Sequence, residues 1–266
     1  MEKITARVLI KMKAEADKIV SLTAYDYSFA ALVERAGVEV VLVGDSLGMV
    51  MQGEENTLPV TLEQMIYHSK CVARGCSKPL LVVDMPFMSY QVSVSQALEN
   101  AGRLIKEGAA DMVKLEGGAR VCDAVRAMVD CGIPVCGHLG LTPQSVNTIG
   151  GYRVQGRDEK TASRILEDAR LLQLAGASLL VLEAVPVSLA NQVTQELDIP
   201  TIGIGAGPGT DGQVLVLQDA LGLYPKPSPK FSRNFMTGND SIEAAVRAYV
   251  HAVKAGQFPT ADHSFE

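Results

Sequence analysis

The feature that most constrains the fold of this 266-residue chain is an alternation of short apolar runs with amphipathic segments. Eight runs rich in Val, Ile and Leu have the length of buried strands, and the segments between them have helical spacing. The series predicts a parallel sheet, because parallel neighbours need a crossover, usually a helix, between them. The predicted strands are residues 19–24, 38–44, 79–86, 111–117, 133–140, 177–184, 199–206 and 213–219.

Eight such units can close into a (β/α)8 TIM barrel or form a large open sheet with helices on both faces. The count of eight favours the barrel, and so does the length, since one barrel typically takes about 250 residues. We expect residues 1–266 to form a single α/β catalytic domain. Residues 223–235 are predicted to make a surface excursion, and a helix near Ser241 to Ala255 is predicted as a C-terminal extension.

Charge and composition argue against several classes of partner. The formal net charge of −6 disfavours binding to nucleic acid or to an anionic membrane surface. No apolar run reaches the roughly 18 residues of a membrane span, and the first residues do not resemble a signal peptide. The five cysteines form no CxxC pair, which favours buried reduced thiols over a zinc site. We therefore expect a cytoplasmic protein that acts on small molecules.

Polar side chains follow five consecutive predicted strands at their carboxyl ends. Barrels of this kind carry their active sites at that end. One acid there can simply cap the next helix, but the topology brings all five strand ends to the same mouth. We therefore expect a catalytic site formed by Asp45, Ser46, Asp84, Lys114, Glu116, His138 and Glu183.

Three of these residues, Asp45, Asp84 and Glu116, are carboxylates from adjacent strands. Three anions packed together would raise the pKa of at least one of them, and a cation would relieve the repulsion. Oxygen ligands of this kind suit Mg²⁺, which usually keeps several waters, so Asp84 and Glu116 could also act through water. His138 could be a further ligand or a neutral donor to a substrate oxygen.

Lys114 lies two residues before Glu116, so both side chains point to the same side of their strand. Lys114 could neutralise the acids, bind a substrate carboxylate or form a Schiff base. These three roles remain open on the residues alone.

Residues 207–212 match the glycine pattern GxGxxG that binds dinucleotides. A predicted strand follows them, whereas the dinucleotide motif requires a helix, so we do not predict a nucleotide cofactor. A glycine-rich loop after the seventh strand can bind phosphate in barrels. We expect instead that this loop forms a tight lining of the barrel mouth.

Several short sequence blocks occur along the chain in an order that points to one family. They are LTAYD (22–26), VGDSLG (43–48), VDMPF (83–87), VKLEG (113–117), GHLGLTPQ (137–144), GGY (150–152), QGR (155–157), IGAG (204–207) and DGQ (211–213). Together they closely resemble the ketopantoate hydroxymethyltransferase family, from about residue 3 to the last helix.

The resemblance implies a magnesium-dependent barrel related to phosphoenolpyruvate mutase and isocitrate lyase, often assembled as a homo-decamer. Its members transfer a one-carbon unit from 5,10-methylenetetrahydrofolate to 3-methyl-2-oxobutanoate, giving 2-dehydropantoate for pantothenate synthesis. Carried over to this chain, the metal would lie among Asp45, Asp84 and Glu116. The 2-oxo acid would be held by Asp45, Ser46, Asp84, Lys114 and His138, and Glu183 would accept the proton.

The alternative is another magnesium-dependent lyase or mutase of the same superfamily, acting on a small 2-oxo acid. Such an enzyme would be expected to carry a reactive cysteine in a loop near the mouth. Cys136 lies within the fifth predicted strand instead. A Schiff-base aldolase using Lys114 and a barrel without catalytic activity are the remaining alternatives.

Overall fold

The computed structural model of the chain describes residues 3–266, and its eight strands form one closed parallel barrel. Each strand overlaps one predicted run, and β8 pairs with β1 to close the ring. The (β/α)8 prediction is therefore confirmed, and the open sheet is excluded. The strands are β1 Ile19–Thr23, β2 Val40–Val43, β3 Leu80–Asp84, β4 Met112–Glu116, β5 Val135–Gly140, β6 Leu179–Glu183, β7 Thr201–Ile204 and β8 Gly212–Leu215.

The helices surround the barrel, and six of the eleven α-helices begin at a side-chain cap. The Asp158 side chain, for example, accepts a hydrogen bond from the Thr161 N–H at the start of the longest helix. Within residues 3–266, no helix is long and apolar enough to cross a membrane. The α-helices are α1 Ala6–Ala14, α2 Tyr27–Ala36, α3 Leu47–Val50, α4 Leu62–Gly75, α5 Val94–Lys106, α6 Cys122–Asp130, α7 Val146–Ile149, α8 Glu159–Leu174, α9 Val187–Glu196, α10 Leu217–Ala220 and α11 Ile242–Lys254, with 3₁₀ turns at Ala119–Val121, Pro143–Ser145 and Ala261–His263.

The inside of the barrel has an apolar floor and a charged mouth. Successive residues of a strand point to opposite faces, so Met112, Lys114 and Glu116 of β4 share one face. Met112 is fully buried in the lower interior, and Leu9 and Met12 of α1 join the same core from below. Lys114 and Glu116, two and four residues further along β4, therefore lie above this hydrophobic core.

The glycine-rich loop between β7 and β8 does not lie where it was expected. It packs against α9, since a Cβ atom added to Gly207 would lie 2.7 Å from the side chain of Val187. At its end, the Asp211 carboxylate lies 2.9 Å from Lys13 Nζ, which belongs to α1 below the barrel. The loop therefore takes the position of an outer crossover, and the prediction that it lines the mouth is wrong.

The last predicted strand is too long at its carboxyl end. β8 stops at Leu215, and residues 217–220 form the short helix α10. The apolar run continues into that helix because Leu217, Ala220 and Leu221 are buried with helical spacing. The Leu217 N–H donates to Thr23 Oγ1 (2.9 Å), which fixes α10 on the end of β1.

The segment after α10 is also more than a surface excursion. Tyr224, Lys226 and Phe231 line the cavity at the barrel mouth. Beyond them, α11 begins after its cap Ser241, as predicted, and packs against α2. The buried Tyr249 hydroxyl lies 3.0 Å from the carbonyl oxygen of Ser21, which ties α11 to the outside of the barrel.

Candidate active site

A cavity of about 570 Å³ opens at the carboxyl end of the barrel. That volume is suited to a ligand considerably larger than a small organic acid. All seven residues singled out in the sequence line it, so the structure brings the proposed site together. They are Asp45, Ser46, Asp84, Lys114, Glu116, His138 and Glu183.

The register of neighbouring strands sets two charge pairs side by side. Asp84 of β3 is the direct partner of Lys114 on β4, and the Lys114 Nζ lies 2.5 Å from Asp84 Oδ1. Glu116 of β4 is likewise the partner of His138 on β5, with 3.5 Å between Glu116 Oε1 and His138 Nδ1. Cross-strand pairing therefore decides which acid each cation meets.

Lys114 remains an ammonium in this setting. Burial lowers its pKa, but the negative charges of Asp84, Glu116 and Asp45 outweigh burial and raise it. The side chain is only 5% exposed, and Asp84 is its one ion-pair partner among residues 3–266. An ammonium has three donors, so Lys114 can still donate to an anionic ligand in the cavity. A lysine that holds its proton this firmly is a poor Schiff-base nucleophile.

Asp45 is buried beside two other acids of the site. Burial, followed by the charges of Asp84 and Glu116, raises its pKa well above the usual range. The Gln144 amide donates to Asp45 Oδ2 (2.9 Å), and no donor within residues 3–266 reaches Asp45 Oδ1. One carboxylate oxygen is thus left open toward the cavity.

Gln144 connects the acid cluster and was not identified from the sequence as a site residue. Its backbone N–H donates to Glu116 Oε2 (3.0 Å) while its side chain holds Asp45. The Tyr90 hydroxyl donates to Gln144 Oε1 (2.7 Å), so the amide nitrogen must face Asp45. The residue stands at the end of the block GHLGLTPQ, and that position was the only signal available in the sequence.

His138 lies between two carboxylates. Burial and the nearby Lys114 lower its pKa, but Glu116 and Glu183 outweigh them and raise it to about 9. Its Nε2 is 3.2 Å from Glu183 Oε2, although neither ring nitrogen makes a hydrogen bond of full geometry. The raised pKa favours the imidazolium form, in which both ring nitrogens carry a donor hydrogen.

The backbone around Glu183 leaves no room for adjustment. The Leu141 N–H donates to the Glu183 carbonyl oxygen (2.8 Å), and a Cβ atom on Gly140 would lie 2.2 Å from that same oxygen. Gly140 has φ +90°, and Ala184, directly after Glu183, has φ +47°. This junction of β5 and β6 fixes the direction of the Glu183 side chain.

We expect Gly140→Ala to lower the free energy of unfolding by at least about 2 kcal/mol, because it adds positive-φ strain and a clash with backbone. Urea denaturation checks this. Gly132→Ala is the matched control, since Gly132 has φ +83° and nothing within 4 Å of the added Cβ. Equal losses in the two variants would show that the contact with Glu183 is unimportant.

The cysteines do not contribute a nucleophile to the cavity. Among residues 3–266, none of the cavity-lining side chains is a cysteine. Cys136 is fully buried in the barrel floor, and burial raises its pKa to about 12. The superfamily alternative that relies on a reactive thiol in a loop therefore has no support here. The expectation that all five thiols are buried is wrong, because Cys131 is exposed and Cys71 is half-buried.

Solved structures with the same architecture belong to the phosphoenolpyruvate mutase/isocitrate lyase type of barrel. A 2,3-dimethylmalate lyase of that superfamily aligns with a TM-score of 0.59 at 19% identity, over 84% of this chain and 83% of its own. A phosphonopyruvate hydrolase solved with oxalate and Mg²⁺ aligns with a TM-score of 0.61 at 10% identity, over 99% and 93%. At such identities the likeness concerns the fold.

Sequence comparison identifies the family. The chain is 58% identical over 263 residues to a 3-methyl-2-oxobutanoate hydroxymethyltransferase of Azoarcus sp., covering 98% of this chain and 97% of the relative. It is 56% identical over 265 residues to the enzyme of the same name from Nitrosococcus oceani, covering 100% of both. A sequence model of the ketopantoate hydroxymethyltransferase family matches residues 3–261. The chain therefore belongs to the ketopantoate hydroxymethyltransferase family.

Proposed function

We propose that this chain transfers a one-carbon unit from 5,10-methylenetetrahydrofolate to 3-methyl-2-oxobutanoate and so forms 2-dehydropantoate for pantothenate and coenzyme A synthesis. Among the structural observations, the one that carries the proposal is that the buried Lys114 and His138 side chains line the same cavity as the Glu183 carboxylate, with His138 Nε2 3.2 Å from Glu183 Oε2. Two fixed cations can hold the carboxylate and keto oxygen of a 2-oxo acid while a carboxylate removes its C3 proton. The names of the relatives supply the substrate.

We propose that Mg²⁺ is held at the acid cluster of Asp45, Asp84 and Glu116. The open Asp45 oxygen and the carboxylate chemistry of the set support it. Within residues 3–266, no three His, Cys, Asp or Glu side chains lie close enough together to hold a metal on their own. Asp45, Asp84 and Glu116 would therefore hold the ion together with water molecules, which Mg²⁺ usually keeps. When bound, the ion would polarise the keto group and stabilise the enolate by several kcal/mol.

Ser46, Lys114 and His138 form the proposed clamp for the 2-oxo acid, with Asp45 and Asp84 beside them. The Ser46 hydroxyl is held by the Tyr25 hydroxyl at 2.9 Å. Lys114 supplies a desolvated positive charge that Asp84 already stabilises through an ion pair. Substrate binding therefore needs no rearrangement of the cation. The clamp would place C3 of the substrate toward β6.

Glu183 is the proposed base. Contact with His138 holds one of its oxygens, while the other makes no hydrogen bond within residues 3–266. That oxygen is available for the C3 proton. The carbon–carbon bond then forms between C3 and the one-carbon unit. In the net reaction, water supplies the oxygen and one hydrogen of the new hydroxyl group. The C3 proton and the second water hydrogen end on the two nitrogens of tetrahydrofolate that the one-carbon unit had bridged.

Every proposed site residue lies in a barrel strand or within three residues of its end, which supports the proposal that residues 1–266 act as one catalytic domain. We also propose a cytoplasmic homo-oligomer, a decamer by family resemblance. Consistent with an assembly, the segment after β3 exposes several apolar side chains close together in the chain, namely Phe87, Met88, Val92 and Val94.

The test is a turnover assay with both substrates, with and without magnesium. We expect activity that disappears with excess chelator and returns when Mg²⁺ is added. Asp45→Asn should raise the Mg²⁺ concentration for half-maximal activity by at least about tenfold. Manganese titration followed by electron paramagnetic resonance should show the same loss of affinity. Full activity in excess chelator would exclude the metal, and no product from the two substrates would exclude the reaction.

A further inference from the structure

The cavity has two halves with different chemistry. The half formed by β2 to β6 carries all the ionisable groups of the proposed mechanism. The half formed by β7, β8, β1 and the segment after α10 is mostly apolar and aromatic, and it is lined by Ile204, Val214, Leu215, Val216, Tyr224, Phe231 and Phe265. A five-carbon oxo acid held by Lys114 and His138 would leave this second half unused.

Three charged side chains interrupt the apolar half, namely Lys226, Lys230 and the carboxylate of Asp219. Asp219, on α10, lines the cavity and is only 8% exposed. Within residues 3–266 its side chain makes no hydrogen bond and no ion pair. Burial alone raises its pKa to about 6, because no cation lies near enough to offset the loss of solvent. At neutral pH, Asp219 is therefore a desolvated anion without a partner.

The position of Asp219 is rigid. Leu217 and Ala220, two and one residues away, are buried in the core. The Leu217 N–H is bound to Thr23, and the Ala220 carbonyl accepts the Phe235 N–H at 2.8 Å. A buried acceptor without a donor costs stability. A fixed one on a cavity wall is typical of a group that is completed by its ligand.

We propose that Asp219 binds the donor edge of the pterin ring of the folate co-substrate, formed by its N3–H and 2-amino groups. The inference rests on the proposed function, since it assigns a site for that co-substrate. A carboxylate accepts two parallel N–H donors in a planar, charge-assisted pair. The aromatic and aliphatic walls around it offer a slot for a flat heterocycle. The one-carbon unit would then face the charged half, where C3 of the oxo acid lies.

Asp219→Asn tests this with little change in shape. We expect the KM for 5,10-methylenetetrahydrofolate to rise about 10- to 100-fold, the usual cost of losing a charge-assisted pair. The KM for 3-methyl-2-oxobutanoate and the folate-independent exchange of its C3 proton for deuterium should stay within about twofold. The thermal midpoint without ligands should be unchanged or higher, because an unpaired buried charge is removed.

A tetrahydrofolate analogue without the 2-amino group separates recognition from general damage. It should bind the wild-type protein more weakly than tetrahydrofolate does, and Asp219→Asn should bind the two equally. Asp240→Asn is the control, since Asp240 is exposed. An unchanged folate KM in Asp219→Asn, a lowered thermal midpoint or a loss of C3 exchange would overturn the inference.

The same experiments distinguish this inference from the proposed function. If the wild-type protein exchanges the C3 proton and uses the folate while Asp219→Asn keeps a normal folate KM, only the role of Asp219 fails. If the wild-type protein does neither, the proposed function fails and the role of Asp219 fails with it.

Discussion

Glu183→Gln is expected to lower turnover by about 10²- to 10⁴-fold, the usual contribution of a positioned general base. Glutamine keeps the size of the side chain and can still contact His138, but it cannot accept the C3 proton. The barrel should remain folded, because the Glu183 side chain, 14% exposed, is not part of the hydrophobic core. Binding of the 2-oxo acid by Lys114 and His138 should be largely retained.

The decisive measurement is the exchange of the substrate C3 proton for deuterium, followed by NMR without folate. Glu183→Gln should abolish that exchange, while Glu99→Gln, an exposed glutamate of α5, should leave it intact. Circular dichroism should show an unchanged fold. Wild-type exchange rates in Glu183→Gln would remove Glu183 from the role of base and require another proton acceptor in the cavity.

The fold could be predicted from the sequence because its signal is local. Each buried parallel strand is a short apolar run, and the count of eight limits the topology to few choices. The common face of Lys114 and Glu116 was also predictable, since it follows from the two-residue period of a strand. The end of β8 was not predictable, because the apolar residues of the run 213–219 continue past the end of the strand into α10.

The cross-strand relations of the site could not be predicted in the same way. The pairing of Lys114 with Asp84 depends on the register of β3 against β4, which joins residues thirty positions apart. The role of Gln144 depends on a loop that reaches back to Asp45 and Glu116 at once. Asp219 carried no signal, because its importance lies in the absence of a partner within the described chain. Such features are properties of packing and not of sequence period.

Lys114→Met is expected to lower the free energy of unfolding by about 3–5 kcal/mol, the typical cost of leaving a buried charge without its partner. Asp84 would lose the ammonium at 2.5 Å, and Asp45 and Glu116, whose charges help to raise the pKa of Lys114, would lose the same cation. Turnover should fall as well, because the clamp for the 2-oxo acid loses its fixed positive charge. Urea denaturation and the turnover assay measure the two effects separately.

The reason for the loss can be tested by replacing the missing cation. If repulsion among the three acids causes the instability, Mg²⁺ should recover part of it, because an ion that binds only the folded state stabilises that state. The recovery should be larger in Lys114→Met than in the wild-type protein. Lys106→Met, at an exposed position on α5, should change stability by less than about 0.5 kcal/mol. A Lys114→Met protein as stable as the wild type would mean that something other than the ammonium compensates the acids. The proposed role of Lys114 as the cation that stabilises the acid cluster would then be wrong.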